Sequence, residues 1–137
     1  MDRLFKCTAA AMVMTGSIFL KQACAADLAG AWATNADACQ RVFTRKGRAN
    51  QVGFTEFSDQ YGGGVIIEAD RLKGKFANCK IKSRKEDGMN VNIVAACATD
   101  IMLSNVQFSL KLLEPNKIAR VFPGAMDMEI DYYRCPM

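Results

Sequence analysis

Histidine is missing from all 137 residues. With it go the Ser-His-Asp and Cys-His nucleophile arrangements, histidine-ligated zinc and the commonest general base near neutral pH. Most hydrolase mechanisms therefore have no residue to run on. No Cys-x-x-Cys pair occurs either, and without an imidazole to hold a thiolate the cysteines lack the setting that redox chemistry needs. No apolar stretch reaches the roughly 20 residues of a membrane-spanning helix. The one glycine cluster, YGGG at Tyr61 to Gly64, is followed by the strand-like VIIE. Phosphate-cradling loops place their glycines ahead of a helix, so the cluster reads as a turn and no cofactor is called for.

What is present begins with a leader. Asp2, Arg3 and Lys6 precede an apolar run from Cys7 to Leu20, and the small residues Ala23, Ala25 and Ala26 follow. That order predicts a secretory signal peptide over residues 1–25, with an Ala-x-Ala cleavage site ending at Ala25 or Ala26. Cys24 is not a lipidation site, because Lys21 stands where a lipoprotein has leucine. The expected location is periplasmic or secreted. About 110 residues remain, enough for one domain with a modest core. The leader takes three basic residues and one acidic, so the chain's +4 falls by two to +2, which implies no obligatory polyanionic partner. Nucleic acid is not expected outside the cytoplasm.

Of the 6 cysteines, Cys7 and Cys24 leave with the leader and four stay. An even number in an exported domain reads as disulfides, with three possible connectivities. The stretch CKIKSRKEDGMNVNIVAAC chooses among them. Asp87-Gly88 is a hairpin-turn signal, and residue 88 is the midpoint of Cys79 and Cys97, so these two face each other and pair. Closing that loop of about 17 residues restricts the unfolded chain by about 3 kcal/mol. By elimination Cys39 pairs with Cys135 and ties the start of the domain to its end. Counting by two puts Cys79, Ile81 and Ser83 on the core face with Cys97, Ala95, Ile93 and Val91, and Lys80, Lys82 and Arg84 on the opposite, wet face.

The rest alternates as β-structure. Strands are expected around Trp32 and over Gln51–Phe57, Val65–Glu68, Lys75–Arg84, Asn90–Cys97, Val106–Leu113, Lys117–Phe122 and Met128–Arg134, separated by glycine, proline and Asp-Gly turns. VQFSLKLL is the clearest: Val106, Phe108, Leu110 and Leu112 face one way, Gln107, Ser109 and Lys111 the other. Thr34 to Gly47 predicts one short helix, capped by Thr34 or Asn35, with Cys39, Val42 and Phe43 on one face and Gly47 ending it. The fold class is mainly β, an antiparallel barrel or strongly curved sheet of about eight strands with one short N-terminal helix, over residues 26–137.

Two groups of side chains have the composition of a site. Glu129 and Asp131 share a strand face about 7 Å apart, within the range of the carboxylate pair of inverting glycosidases. With Asp127 as a third acid and Tyr133 the one nearby aromatic, a solvated face is the better reading. Arg71, Lys73, Lys75, Lys80, Lys82, Arg84 and Lys85 form the densest basic region. Lys80, Lys82 and Arg84 are the candidate anion-binding residues, a row spaced about 7 Å apart for an acidic glycan or anionic lipid. The competing reading is a charged strand edge that blocks aberrant pairing.

Gly30-Ala31-Trp32 and Arg134 together resemble the Gly-x-Trp and late-arginine signature of lipocalin-like barrels. That resemblance implies that Arg134 lies over the indole of Trp32 and closes one barrel end, a cation–π contact of about 0.5 to 2 kcal/mol. The order GxW, Cys39, Cys79, Cys97 and Tyr133-Arg134-Cys135 resembles a group of small exported proteins of Gram-negative bacteria, which implies export without implying an activity. DLAGAW, Asp27 to Trp32, is similar to the opening of periplasmic metalloprotease inhibitors, whose inhibitory N-terminal arm is longer than the one here. The functional expectation is a non-enzymatic, exported binding module for an anionic envelope glycan or lipid, or for a protein. The alternatives are a periplasmic protease inhibitor and a lipocalin-like carrier of a small apolar ligand. A carrier needs a pocket of a few hundred Å³, whereas a barrel packed with Phe108, Leu110, Leu112 and Ile93 is solid.

Overall fold

The structure, a computed structural model, describes residues 26–137. The expected signal peptide, with Cys7 and Cys24, lies outside the described residues. Eight strands close into an antiparallel barrel: β1 (Gly30–Ala33), β4 (Gly64–Ile67), β5 (Arg71–Lys73), β6 (Asn78–Asp87), β7 (Asn90–Ala98), β8 (Leu103–Glu114), β9 (Lys117–Phe122) and β10 (Met128–Cys135). The remaining pair, β2 (Phe43–Lys46) and β3 (Gln51–Phe54), forms a separate hairpin. β1 lies between β4 and β10 and closes the ring, pairing Trp32 with Val65 on one side and with Arg134 on the other.

The two-residue period of the strands sorts the apolar side chains into two clusters. Trp32, Ile67, Leu72, Cys79, Val91, Ile93, Ala95, Cys97, Leu110, Ile118 and Tyr132 fill the interior. The alternation of β8 holds, with Val106, Phe108 and Leu112 packed against that cluster and Leu110 buried within it. Ala31, Ala33 and Ile66 face outward from β1 and β4. They pack under Ala38, Cys39, Val42 and Phe43, with Cys135, Val52 and Phe54 completing the second cluster. Both expected disulfides are present. Cys79–Cys97 lies in the interior, and Cys39–Cys135 bolts the outer layer to the last strand.

That outer layer departs from the single helix expected over Thr34–Gly47. A 3-10 turn at Ala36–Ala38 runs into one turn of helix, α1 (Cys39–Val42), and stops. Asn35 caps the start as expected, its side chain accepting from the Asp37 amide. Phe43 is already extended, and β2 pairs with β3 through a turn around Gly47. Phe43 and Thr44 are aromatic and β-branched, so a partner strand outweighs their weak helical preference. The close approach is made possible by Gly64, where a Cβ would sit 2.7 Å from Phe43 Cζ and 3.0 Å from Val42 Cγ1. The YGGG stretch is thus a packing site as well as a turn.

Two further corrections follow. Gln51–Phe57 supplies a short strand outside the barrel, and the eighth barrel strand is Arg71–Lys73, which pairs with both β4 and β6. The β6–β7 hairpin turns at Gly88-Met89, but its ladder shifts between Ile81 and Ser83. Lys82 is an extra residue in a β-bulge, a device that sharpens strand twist where a sheet must curl. Beyond it the faces exchange. Ser83 is opposite the exposed Val94, while Arg84 and Glu86 are opposite the buried Ile93 and Val91.

Candidate functional site

The two ends of the barrel differ in chemistry. At one end stand the β6–β7 and β8–β9 turns, the end of β10 and the entry into β1. Chain 26–29 crosses it as a plug. Leu28 enters the core with 2% of its surface exposed, and its carbonyl accepts from Trp32 Nε1 at 2.9 Å. The Arg134 guanidinium carbon sits 4.3 Å from the centroid of the Trp32 ring. Its Nη2 donates to the Asp27 carbonyl at 2.7 Å and its Nη1 to the Ala29 carbonyl. Burial pushes the Arg134 pKa below its ordinary value, with Asp27 opposing. Gly30 has φ +141°, and a Cβ there would lie 3.3 Å from Arg134 Nη1, so both glycine's backbone and its missing side chain are used. Arg134 thus lies over the Trp32 ring where β1 pairs with β10.

The same end carries Arg84. It donates to the Ala26 carbonyl and to Glu86, and Glu86 Oε2 accepts from the Ala26 amide at 3.3 Å. The expected row of Lys80, Lys82 and Arg84 therefore does not exist as one face. Lys80 points outward, Lys82 occupies the bulge, and Arg84 lies on the inner side of the ladder, tied to a carboxylate. Three other cations of the basic region are paired as well: Arg71 with Asp70, Lys73 with Glu68, and Lys75 with Asp59 and the Glu56 carbonyl. The Lys75 hydrogen bond holds the Asp59 carboxyl below the usual carboxylate range. Glu129 and Asp131 form ion pairs with Lys111 at 3.6 Å and Lys117 at 3.3 Å, which accounts for both carboxylates. Asp131 raises the pKa of Lys117 by hydrogen bond and charge.

The opposite end is open and apolar at its edge. The β5–β6, β7–β8 and β9–β10 turns all lie there because consecutive antiparallel strands alternate direction. Each turn exposes a large apolar side chain: Phe76 on the first, Ile101 (91%) on the second with Leu103 (84%) just after it at the start of β8, Met126 (99%) on the third. Within the mouth, Arg120 shares the inner face of β9 with Ile118 and Phe122. Its guanidinium carbon lies 4.4 Å from the Phe108 ring centroid and 4.6 Å from that of Phe122. Among the described residues no ion pair includes it. Arg120, Phe108, Val65 and Tyr132, together with Ile67, Leu72, Leu110 and Ile118, line a cavity of about 20 Å³. The space holds about one water.

Arg120 and the apolar turn tips were not among the expected site residues. The signal for the first is the alternation Ile118-x-Arg120-x-Phe122, a cation on an otherwise apolar inward face. The signal for the second is Ile101-Met102-Leu103, an apolar run where a turn enters a strand. No helix among the described residues is long and apolar enough to cross a membrane. Comparison with family models, with curated proteins and with solved structures finds no match to this chain.

Proposed function

We propose that the protein is an exported, non-enzymatic binding module that seats the open end of its barrel on an anionic lipid surface of the cell envelope. The observation that carries this reading is the open mouth. Arg120 is stacked between Phe108 and Phe122 without a carboxylate partner among the described residues, inside a rim whose three turns each expose an apolar side chain. Separate apolar tips suit a lipid interface, where each inserts on its own and gains roughly 0.8 kcal/mol per buried CH₂. A cation set back inside that mouth adds up to about 1 kcal/mol against an anionic leaflet. The two disulfides support an oxidising compartment.

The alternatives fit less well. A carrier needs a few hundred Å³ of interior, and the cavity here is about 20 Å³. An inhibitory arm must be free to enter a protease, and residues 26–29 are tied down by Arg84, Arg134 and Trp32. The test is co-sedimentation with vesicles of phosphatidylglycerol or of phosphatidylcholine. Binding is expected on the anionic vesicles, weakening as salt rises, and falling about fivefold in Arg120→Gln and at least about tenfold in the pair Ile101→Ser, Leu103→Ser. Equal retention on both lipids, or wild-type retention by both variants, rejects the proposal. Retention on an anionic polysaccharide that ignores the serine changes would favour a glycan instead.

A further inference from the structure

We infer that β8 carries an open pairing edge at the mouth of the barrel, Leu103 to Gln107, and that its partner is the same edge of a second copy of this chain. β8 pairs with β7 from Leu103 to Lys111, but its ladder with β9 begins only at Ser109. The β7–β8 hairpin therefore stands above β9 as a step in the rim. Thr99 N donates to the Met102 carbonyl at 2.9 Å, and bonded and non-bonded pairs alternate along an antiparallel ladder. Ser104 and Val106 thus turn their backbone groups toward β7, while Leu103, Asn105 and Gln107 turn theirs away. Those three residues are exposed, and among the described residues no backbone bond outside the β7 ladder reaches them.

A second long strand shows what a guarded edge looks like in the same molecule. β6 runs past β5, whose pairing ends at Lys80, and from Lys82 to Asp87 it is charged at every residue except Ser83. Charges of this density keep an edge single. β8 has no charge and no proline between Leu103 and Leu110. An antiparallel ladder reads the same from either strand, so an uncharged edge is its own complement across a twofold axis. With the axis near Ser104, Leu103 of each copy exchanges backbone bonds with Asn105 of the other, and no like charges meet. The contact uses the edge of both copies, so assembly stops at the pair. Pairing also covers Leu103, which enters lipid in the reading above. A pair in solution and a single chain on lipid then exclude each other, a consequence that rests on that reading, whereas the pair itself does not.

The test is sedimentation equilibrium of the disulfide-bonded protein without lipid, joined to amide exchange read residue by residue. The mass of two chains is expected and should persist as salt rises, since no charge holds the edges together, with the Leu103 and Asn105 amides protected. Asn105→Pro removes a free-edge N–H and leaves the β7 ladder intact, because proline is tolerated where its missing donor faces away from the sheet. It should weaken the pair at least about tenfold, the effect of losing that bond in both copies, with native Trp32 emission. Asn105→Lys, which places like charges on one face of the shared ladder, should do the same without altering the backbone. A single-chain mass at every concentration, a mass above two chains, or a pair that survives both substitutions overturns the inference. Lipid is absent throughout, so none of these outcomes touches the vesicle experiment that decides the lipid reading.

Discussion

Arg134→Met separates the charge of the closing arginine from its apolar stem, because methionine keeps a chain of similar reach over the Trp32 ring. The guanidinium makes three contacts: the stack at 4.3 Å on Trp32 and hydrogen bonds to the carbonyls of Asp27 and Ala29. The stack contributes about 0.5 to 2 kcal/mol. A hydrogen bond to a charged donor is worth about 1.5 to 3 kcal/mol, but Arg134 is half-buried and water replaces part of each lost bond, so about 0.5 to 1 apiece is the fair allowance. The sum is about 1.5 to 4 kcal/mol, and for a domain of this size the melting temperature should fall by roughly 10 °C. Trp32 is the only tryptophan in the chain and is fully buried, so its fluorescence reports the same site. Thermal unfolding followed by indole emission should show the lower midpoint together with a native-state emission shifted to the red as water reaches the loosened plug. Arg134→Lys, which keeps the charge without the planar fork, should fall between. A midpoint within about 2 °C of wild type with unchanged emission would refute the account of the closed end.

Three other expectations follow from the packing and the charges. Removing Cys39–Cys135 by paired serine substitution should destabilise more than removing Cys79–Cys97, since their sequence separations of 96 and 18 correspond to about 4.7 and 3 kcal/mol of chain entropy; denaturant titration of the two variants measures the order. Gly64→Val should cost about 1 to 3 kcal/mol by forcing Phe43 and Val42 off β4, and amide exchange in β2 and β3 should quicken while the β7–β8 ladder stays protected. The Asp59–Lys75 tether should be at full strength above the ordinary carboxyl value of 3.8 and be lost as pH falls through the lowered one, because a depressed acid favours folding only while ionised. Asp59→Asn should flatten that part of the acid stability profile.

Much of this architecture was legible from residue order because it depends on local rules. Strand alternation placed Phe108, Leu110 and Leu112 inside, Asp87-Gly88 marked the hairpin, and the symmetric spacing about it paired Cys79 with Cys97 and left Cys39 for Cys135. Tyr133-Arg134-Cys135 and Gly30-Ala31-Trp32 met because they lie on the strands that close the ring. Three decisions belonged to the tertiary structure alone. Phe43 to Lys46 became a strand because β3 was there to pair with it and Gly64 left room beneath. Arg71 to Lys73, three residues with no alternation to speak of, became a barrel strand because β4 and β6 needed an element between them. The bulge at Lys82 turned Arg84 inward, since closing a barrel demands extra twist at some point of a long strand and counting by two fails beyond any inserted residue. The candidate site moved for the same reason. A row of cations on one strand is a property of local spacing, whereas the open mouth around Arg120 exists only where three turns, far apart in the chain, arrive at one end of a closed sheet.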